Sequence, residues 1–589
     1  MANWFVSAKK ADFNKIADDF GISPMLARII RNRNIIEKEE IEKFLYGTLE
    51  DLHRPDLLKD IEIGTEIIRT KIKEHKKIRV IGDYDIDGVC ATYILKKGLV
   101  QCRALVDAVI PHRIHDGYGL NEQLIKQAYQ DGIDTIITCD NGIAAYEQIA
   151  YANSLGMTVV ITDHHEIPYE EMEDGSKRYK LPLAAAIINP KQKMCSYPYK
   201  SICGAVVAYK FVQFLLDSMK LQTNVLAELL EFASIATIGD VMPILNENRI
   251  IVKYGLASMV HTKNKGLKAL IAVNGLSEKI LSPYHIGFVL GPCLNATGRL
   301  DTASRALQLF EAETKAEAAM IASDLKAMND SRKDMTERGV ENAIQQIEKS
   351  KQKEDKVLVI YLPDCHESLA GIIAGRIRER YHKPTFVLTK GEAGIKGSGR
   401  SIEAYHMYEE MSKHKELFEK YGGHKLASGL SMKEENMEKF RQLMNLSSLL
   451  TEADLVEKVQ IDIPMPLRFA TKEFTDELSL LEPFGVGNQK PLFAQKNVRF
   501  LSGRILGQNK NVGKFIIEDE YKNRYDAVYF GDIEKMNQYV IEHFGIEQKN
   551  FLYEDKQTKT RIQFSICYYP EINEFRGNKH LQIIIKDYR

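Results

Sequence analysis

Between residues 77 and 190 the chain alternates short β-branched runs with helical stretches. The runs Ile78–Ile81, Ala104–Ile110, Thr135–Thr138, Thr158–Thr162 and Ala185–Ile188 predict a parallel sheet with helices on both faces. Upstream, Phe13, Ile16 and Ala17, then Met25, Leu26, Ile29 and Ile30, recur at helical spacing, which predicts a helical cap over residues 1–70. Residues 202–220 and 226–238 also read as helices. From 313 to 352 the pattern is charged, nearly free of glycine and helical in period, as expected of a long connecting helix with a solvated face.

A second α/β segment follows over 353–450, opening with the strand Val357–Tyr361 and a helix carrying Gly371, Gly375 and Arg376. Beyond 450 the chain turns strand-rich: Val459–Ile463, Leu492–Arg504, Lys514–Glu518, Tyr525–Phe530, Ile562–Cys567 and Leu581–Ile585. Such a series fits a small Greek-key barrel of the OB type. Lys510, Lys514, Phe515, Tyr529 and Phe530 interleave charge and rings there, a composition suited to a single-strand groove, although rings in a barrel are more often core.

A length of 589 residues exceeds one core and suggests several domains. Lys plus Arg is 80 and Asp plus Glu is 81, so no global field recruits a polyanion and any nucleic-acid affinity must be local. The start Met1-Ala2-Asn3-Trp4-Phe5 has no basic flank or apolar core of a secretory signal, and no long apolar run follows, so a cytoplasmic protein without membrane contact is expected. Eight cysteines without C-x-x-C spacing argue for reduced thiols rather than disulfides or a zinc site.

Ligands of open parallel sheets bind beyond the carboxyl ends of the strands. Chemistry concentrates at those ends. The first strand runs into Gly82-Asp83-Tyr84-Asp85-Ile86-Asp87-Gly88, the second into Pro111-His112-Arg113, the third into Asp140-Asn141-Gly142 and the fourth into Thr162-Asp163-His164-His165. Carboxylates this dense need a cation to relieve their repulsion. A calcium loop would require Glu at its twelfth position, which is Ile94, and H-E-x-x-H fails because Tyr169 replaces the second histidine. The plain alternative is a polar turn with aspartate caps. Asp240, in Ile238-Gly239-Asp240-Val241-Met242-Pro243, is a further carboxylate that could alone be a helix-end cap. Arg299, ending the glycine-punctuated loop from Gly291, could clamp a phosphate or pair with Asp301. Lys396-Gly397-Ser398-Gly399-Arg400-Ser401 and Gly422-Gly423-His424 are glycine strings with donors, yet neither is a P-loop.

Together these strings resemble the DHH phosphoesterase superfamily and, within it, the RecJ-type single-stranded-DNA exonucleases. The Asp83 to Gly88 turn is similar to motif one, the Asp140 turn to motif two, Asp163-His164-His165 to the motif that names the superfamily, and Asp240 to motif four. Residues 71–312 would then be the DHH domain, 353–450 the DHH-associated domain and 451–589 the OB domain, which Leu481-Glu482-Pro483-Phe484-Gly485-Val486-Gly487-Asn488 resembles in its entry. The resemblance implies two divalent cations, Mn²⁺ or Mg²⁺. Asp83 and Asp140 would hold one, and Asp85, Asp140, His164 and Asp240 the other.

It further implies that Asp163 and Asp87 orient the ligands and that His165 contacts phosphate or donates a proton. Arg113, Ser398 and Arg400 would grip a terminal 5′-phosphate, with Asn295, Arg299 and His424 completing the substrate contacts. Two departures are visible. Cys293-Leu294 precede Asn295 where relatives often carry arginine, and the chain ends soon after the barrel, so an extra C-terminal domain is not expected. The implied activity is 5′-to-3′ hydrolysis of single-stranded DNA to 5′-mononucleotides in recombination and repair, with a single-strand-binding protein and a helicase as candidate partners. The alternatives are a phosphodiesterase of short oligonucleotides or cyclic dinucleotides, and a single-strand-binding scaffold whose metal site is structural.

Overall fold

A computed structural model describes residues 2–112, 119–172, 174–300, 302–391, 394–507, 510–554, 556–557, 559–575 and 577–589. It divides into two compact units, residues 48–455 and residues 1–47 with 456–589.

The larger unit is built on five parallel strands, β1 (Lys77–Ile81), β2 (Leu105–Val109), β3 (Thr135–Cys139), β4 (Thr158–Thr162) and β5 (Ala186–Ile188), in the order β2-β1-β3-β4-β5. Every pairing in it is parallel, so all five carboxyl ends lie on one edge. Helix α1 (Ile86–Gln101) has an unbroken buried run from Ile86 to Leu95. A helix apolar all round lies inside a core rather than upon it, and α1 packs with α2 (Gly204–Ser218) and α3 (Val225–Gly239) in the main hydrophobic cluster.

The connecting helix α4 spans Lys315–Glu348, 34 residues in one piece. After it come β6 (Leu358–Tyr361), α5 (Ala370–Tyr381), β7 (Thr385–Gly391), β8 (Gly394–Arg400), β9 (Phe418–Gly423) and β10 (Ala427–Met432). They form a second sheet ordered β9-β10-β8-β7-β6, in which only β6 and β7 run parallel. The glycines of β8 serve packing: a Cβ at Gly397 would meet Leu388 Cδ2 at 2.5 Å, and one at Gly399 would meet Met407 Sδ at 2.4 Å. Gly422 and Gly429 differ, since a Cβ on either would meet nothing within 4 Å.

In the smaller unit, β11 (Phe493–Leu506), β12 (Val512–Glu518), β13 (Arg524–Phe530), β14 (Gln563–Phe575) and β15 (Asn578–Tyr588) close a barrel in the order β11-β12-β13-β15-β14. Phe515 is 1% exposed and belongs to its core, whereas Phe530 is 62% exposed.

The segment expected as a helical cap over residues 1–70 carries helices at Phe13–Phe20, Pro24–Asn32, Lys38–Tyr46 and Ile61–Lys73, but it is divided between the two units. Asn3–Val6 is a strand, paired in parallel with Lys458–Ile461, and the first 47 residues join the barrel's unit. Buried polar bonds explain the pairing. Arg33 meets Asp462 at 3.2 Å and donates from Nε to Asn488 Oδ1 at 2.8 Å, while Asn488 Nδ2 donates to the carbonyls of Leu481 and Pro483. The Leu481–Asn488 loop is therefore a dock for Arg33.

Candidate active site

Three strand ends and one helix end assemble the site. Beyond β1, a Cβ at Gly88 would fall 2.4 Å from the Asp83 carbonyl, so the turn can fold this tightly only with glycine there. Asp85 caps α1 with Oδ1, accepting from the amides of Asp87 and Gly88 at 3.0 Å each. The capping role foreseen as the plain alternative is real, and it leaves the other oxygen of Asp85 for the site.

Asp140 follows β3 with a left-handed φ of 60°, a conformation that aspartate tolerates better than most residues. Asn141 holds that turn, donating from Nδ2 to the carbonyls of Ile81 and Cys139. Beyond β4, Asp163 is fully buried and accepts from the amides of Ile143, His164 and His165 and from His165 Nδ1, the last at 2.8 Å. Asp240 caps the end of α3. Asp87 accepts from the amides of Gly204 and Ala205 at 2.7 and 2.8 Å, which fixes both its oxygens against the start of α2.

These elements bring three groups of potential ligand atoms together, each within 4.8 Å: Asp83, Asp85 and Asp140; Asp87, His164 and Asp240; and Asp140, His164 and His165. His164 Nε2 lies 3.1 Å from Asp140 Oδ1, 3.6 Å from Asp87 Oδ2 and 3.7 Å from Asp240 Oδ2, so imidazole and Asp140 join the groups. Asp85 shares a group with Asp83 and Asp140, and its charge is also felt at Asp240. Asp87, expected only as a support, stands among the potential ligands.

Arg113 lies outside the described residues, as does Asp301, the alternative partner of Arg299. Arg299 Nη1 donates to the Ser368 carbonyl at 2.7 Å, a link from the first half of this unit to the turn before α5. Arg400 lies over Gly371, where a Cβ would meet its Nη2 at 2.9 Å, and donates to the Gly399 carbonyl. Ser398 pairs with Gly429, itself opposite Gly422, so bare backbone flanks the hydroxyl. His424 is exposed and Asn295 half-buried. Cys293 is buried against Asn274 and Asn329. Gly204 and Asn141 were not expected as site residues. Asn141 at least adjoined Asp140, whereas nothing around Gly204 marked it.

The electrostatics call for a cation. Burial first, then repulsion from Asp85, raises the Asp83 carboxyl to about 7. Burial and the charges of Asp87 and Asp85 raise Asp240 to about 8, and burial and the same neighbours push Asp140 well above the carboxylate range. Asp83 Oδ1 and His164 Nδ1 are buried without hydrogen-bond partners. Burial also lowers His164, favouring the neutral, ligating imidazole. Against burial, Asp163 raises His165 to about 9, and Asp163 itself is lowered, chiefly by His165. Carboxylate oxygens with one imidazole fit a hard divalent cation of the manganese or magnesium kind.

Three domain models match the chain: the DHH family N-terminal domain over 77–237, the DHHA1 domain over 354–447 and the RecJ OB domain over 461–587. The single-stranded-DNA-specific exonuclease RecJ of Bacillus subtilis strain 168 is 32% identical over 576 residues, 97% of this chain and 69% of the relative. The chain belongs to the RecJ family. The RecJ of Escherichia coli K12 is 32% identical over 591 residues, 96% of this chain and 95% of that one. Among solved structures, RecJ of Thermus thermophilus in complex with Mn²⁺ shares the fold at TM-score 0.80 and 24% identity, covering 100% of this chain and 79% of that chain. An exonuclease RecJ bound to manganese aligns at TM-score 0.58 and 28% identity over 67% of this chain and 96% of that one.

Raised carboxyls hold protons that the unfolded chain releases near pH 4, so cation-free stability falls as pH climbs from about 4 to about 8. His165, raised in the fold, adds stability at low pH that is lost as pH passes about 9, the same direction. In chelator, the melting temperature should therefore be lower at about pH 8 than at about pH 5, and Mn²⁺ should raise it more at the higher pH. An equal Mn²⁺ shift at both would contradict this charge balance.

Proposed function

We propose that this chain is a metal-dependent exonuclease that hydrolyses single-stranded DNA from its 5′ end to 5′-mononucleotides, in recombination and repair. The observation that carries the reading is the convergence of Asp83, Asp85 and Asp140 with Asp87, His164 and Asp240 at the carboxyl edge of one parallel sheet. The relatives' names give the substrate class, and the barrel supplies a nucleic-acid module.

Asp83, Asp85, Asp140, His164 and Asp240 would hold two divalent cations, which when bound supply Lewis acidity toward a phosphoryl oxygen and a more acidic water. The protein's own groups do the rest. Asp163 holds the two histidine amides and fixes the ring of His165, whose exposed side faces the substrate and delivers a hydrogen bond or proton to phosphate. The amides of Gly204 and Ala205 keep Asp87 from turning away from His164. Beside His165, Gly119, Asn141 and Ala145 line a cavity of about 330 Å³, at the lower end of the range for small-ligand clefts. A cavity of this size suits the terminal nucleotide.

Ser398 and Arg400, with Arg113, take the terminal 5′-phosphate, which sets polarity; bare backbone at Gly422 and Gly429 leaves room beside Ser398. A phosphodiesterase of dinucleotides would have no task for the barrel, and a scaffold none for the carboxyls.

The test is a time course on end-labelled single strands with and without a 5′-phosphate, on duplex and on dinucleotides, in Mn²⁺ and in chelator. Mononucleotides should appear first from the 5′ end of single strands, faster with the phosphate and only with metal. Release from the 3′ end, equal rates on duplex, or preference for dinucleotides would overturn the reading.

A further inference from the structure

Helices α4 and α5 pack closely because Gly339 admits Ile373, whose Cδ1 would lie 2.5 Å from a Cβ there. This contact brings two arginines into each other's field, Arg332 about two turns before Gly339 and Arg376 almost one turn beyond Ile373. Arg332 is half-buried, and its Nε and Nη2 both donate to Asn329 Oδ1, at 3.1 and 2.9 Å. Asn329 is itself 1% exposed and anchored at Cys293 Sγ, so the guanidinium is held by a neutral group that is already fixed.

No carboxylate answers either charge among the described residues. Asp330 and Asp334, each two residues from Arg332 along α4, form no ion pair with it; Asp330 is engaged by Lys326 at 2.6 Å and Lys333 at 3.8 Å, and Glu379 on α5 is engaged by Arg378. The neighbouring Cys293 thiol is raised by burial and stays neutral. Burial and then the charge of Arg376 lower Arg332, yet a guanidinium remains protonated under any physiological condition. Two like charges are thus kept together, one of them oriented by a buried amide with N–H groups left over. Such a pair is suited to an oxyanion, which guanidinium donors bind in fork geometry.

Helix α5 also relates this pair to the proposed substrate path. The turn before it receives Arg299 at the Ser368 carbonyl, and its Gly371 lies beneath Arg400. We propose that Arg332 and Arg376 bind an internal phosphodiester phosphate of the substrate strand, a contact separate from the grip on its terminal phosphate. The proposal rests on reading the chain as a single-strand exonuclease. It gives α4 a role in holding the strand beyond connecting two halves of the unit.

Binding of a fluorescent oligothymidylate to the chelated protein, measured against NaCl concentration, tests it. Each phosphate neutralised on a single strand contributes about 0.7 to the slope of log K against log salt. Arg376→Gln and Arg332→Gln should each flatten the slope by about that amount, and Arg332→Lys should weaken binding while keeping the wild-type slope. Arg376 is exposed, so its variant leaves the core untouched; a melting curve shows whether Arg332→Gln does the same. Inorganic phosphate or a free mononucleotide that competes at wild type but not at Arg376→Gln would place a free ligand there instead and overturn the strand contact. Unchanged slopes in both glutamine variants, with wild-type binding and hydrolysis intact, would overturn the pair alone. A wild-type chain that neither binds nor cuts single strands would remove the functional reading and the pair together.

Discussion

Asp140→Asn is expected to cut nucleotide release from single strands by about 10³-fold or more, equivalent to about 4 kcal/mol of barrier. Asparagine keeps the left-handed backbone at φ 60° and the size of the side chain, so the variant removes charge and little else. Asp140 is the carboxylate shared by two of the potential ligand groups, standing with Asp83 and Asp85 in one and with His164 and His165 in another, 3.1 Å from His164 Nε2. Its loss should also abolish the Mn²⁺-induced rise in melting temperature while strand binding stays measurable. Activity within about tenfold of wild type would show that the charge at 140 is not central.

Gly204→Ala should be nearly as damaging from outside the ligand set. Its Cβ would stand 2.8 Å from Asp140 Cβ and 2.9 Å from Asp140 Oδ1, and the amide of the same residue holds Asp87. Neither neighbour is a flexible chain end, so α2 or the Asp140 turn must shift. A displacement near 1 Å at a catalytic group costs about 10²-fold in rate, and the overpacking should cost about 1–3 kcal/mol of stability. Steady-state kinetics and chemical denaturation check the two parts. Wild-type kcat would mean that the close approach of α2 to the carboxylates is incidental.

Gly204 also shows where the sequence falls silent. The carboxylates after β1, β3 and β4 were legible because buried parallel strands are continuous apolar runs, and the residue ending each run must lie at the ligand-binding edge. Asp240 was legible only through its motif, since an aspartate after an apolar helix is ordinarily a cap, which it also is. Asp87 depends on amides 117 and 118 residues away, and no local pattern records a bond of that range.

The same limit explains the N-terminal segment. Helical periodicity at Leu26, Ile29 and Ile30 states that one face is buried but not against what. The answer lies in Asp462, 429 residues from Arg33, and in a strand of four residues too short to show a period. Conversely, the solvated face expected for the long charged helix held over most of its length, and Arg332 is one of the charges turned partly inward, with a neutral anchor. In the barrel, alternation located the strands while Phe515 and Phe530 looked alike; only closure of the sheet decides which ring is inside.

Anomalous diffraction at the manganese edge, from crystals soaked in Mn²⁺, tests the central claim most directly. Two peaks are expected among Asp83, Asp85, Asp140, His164 and Asp240, with Asp140 contacting both, and both should vanish in Asp140→Asn. Manganese absent from these carboxylates, or bound only elsewhere on the chain, would contradict the account.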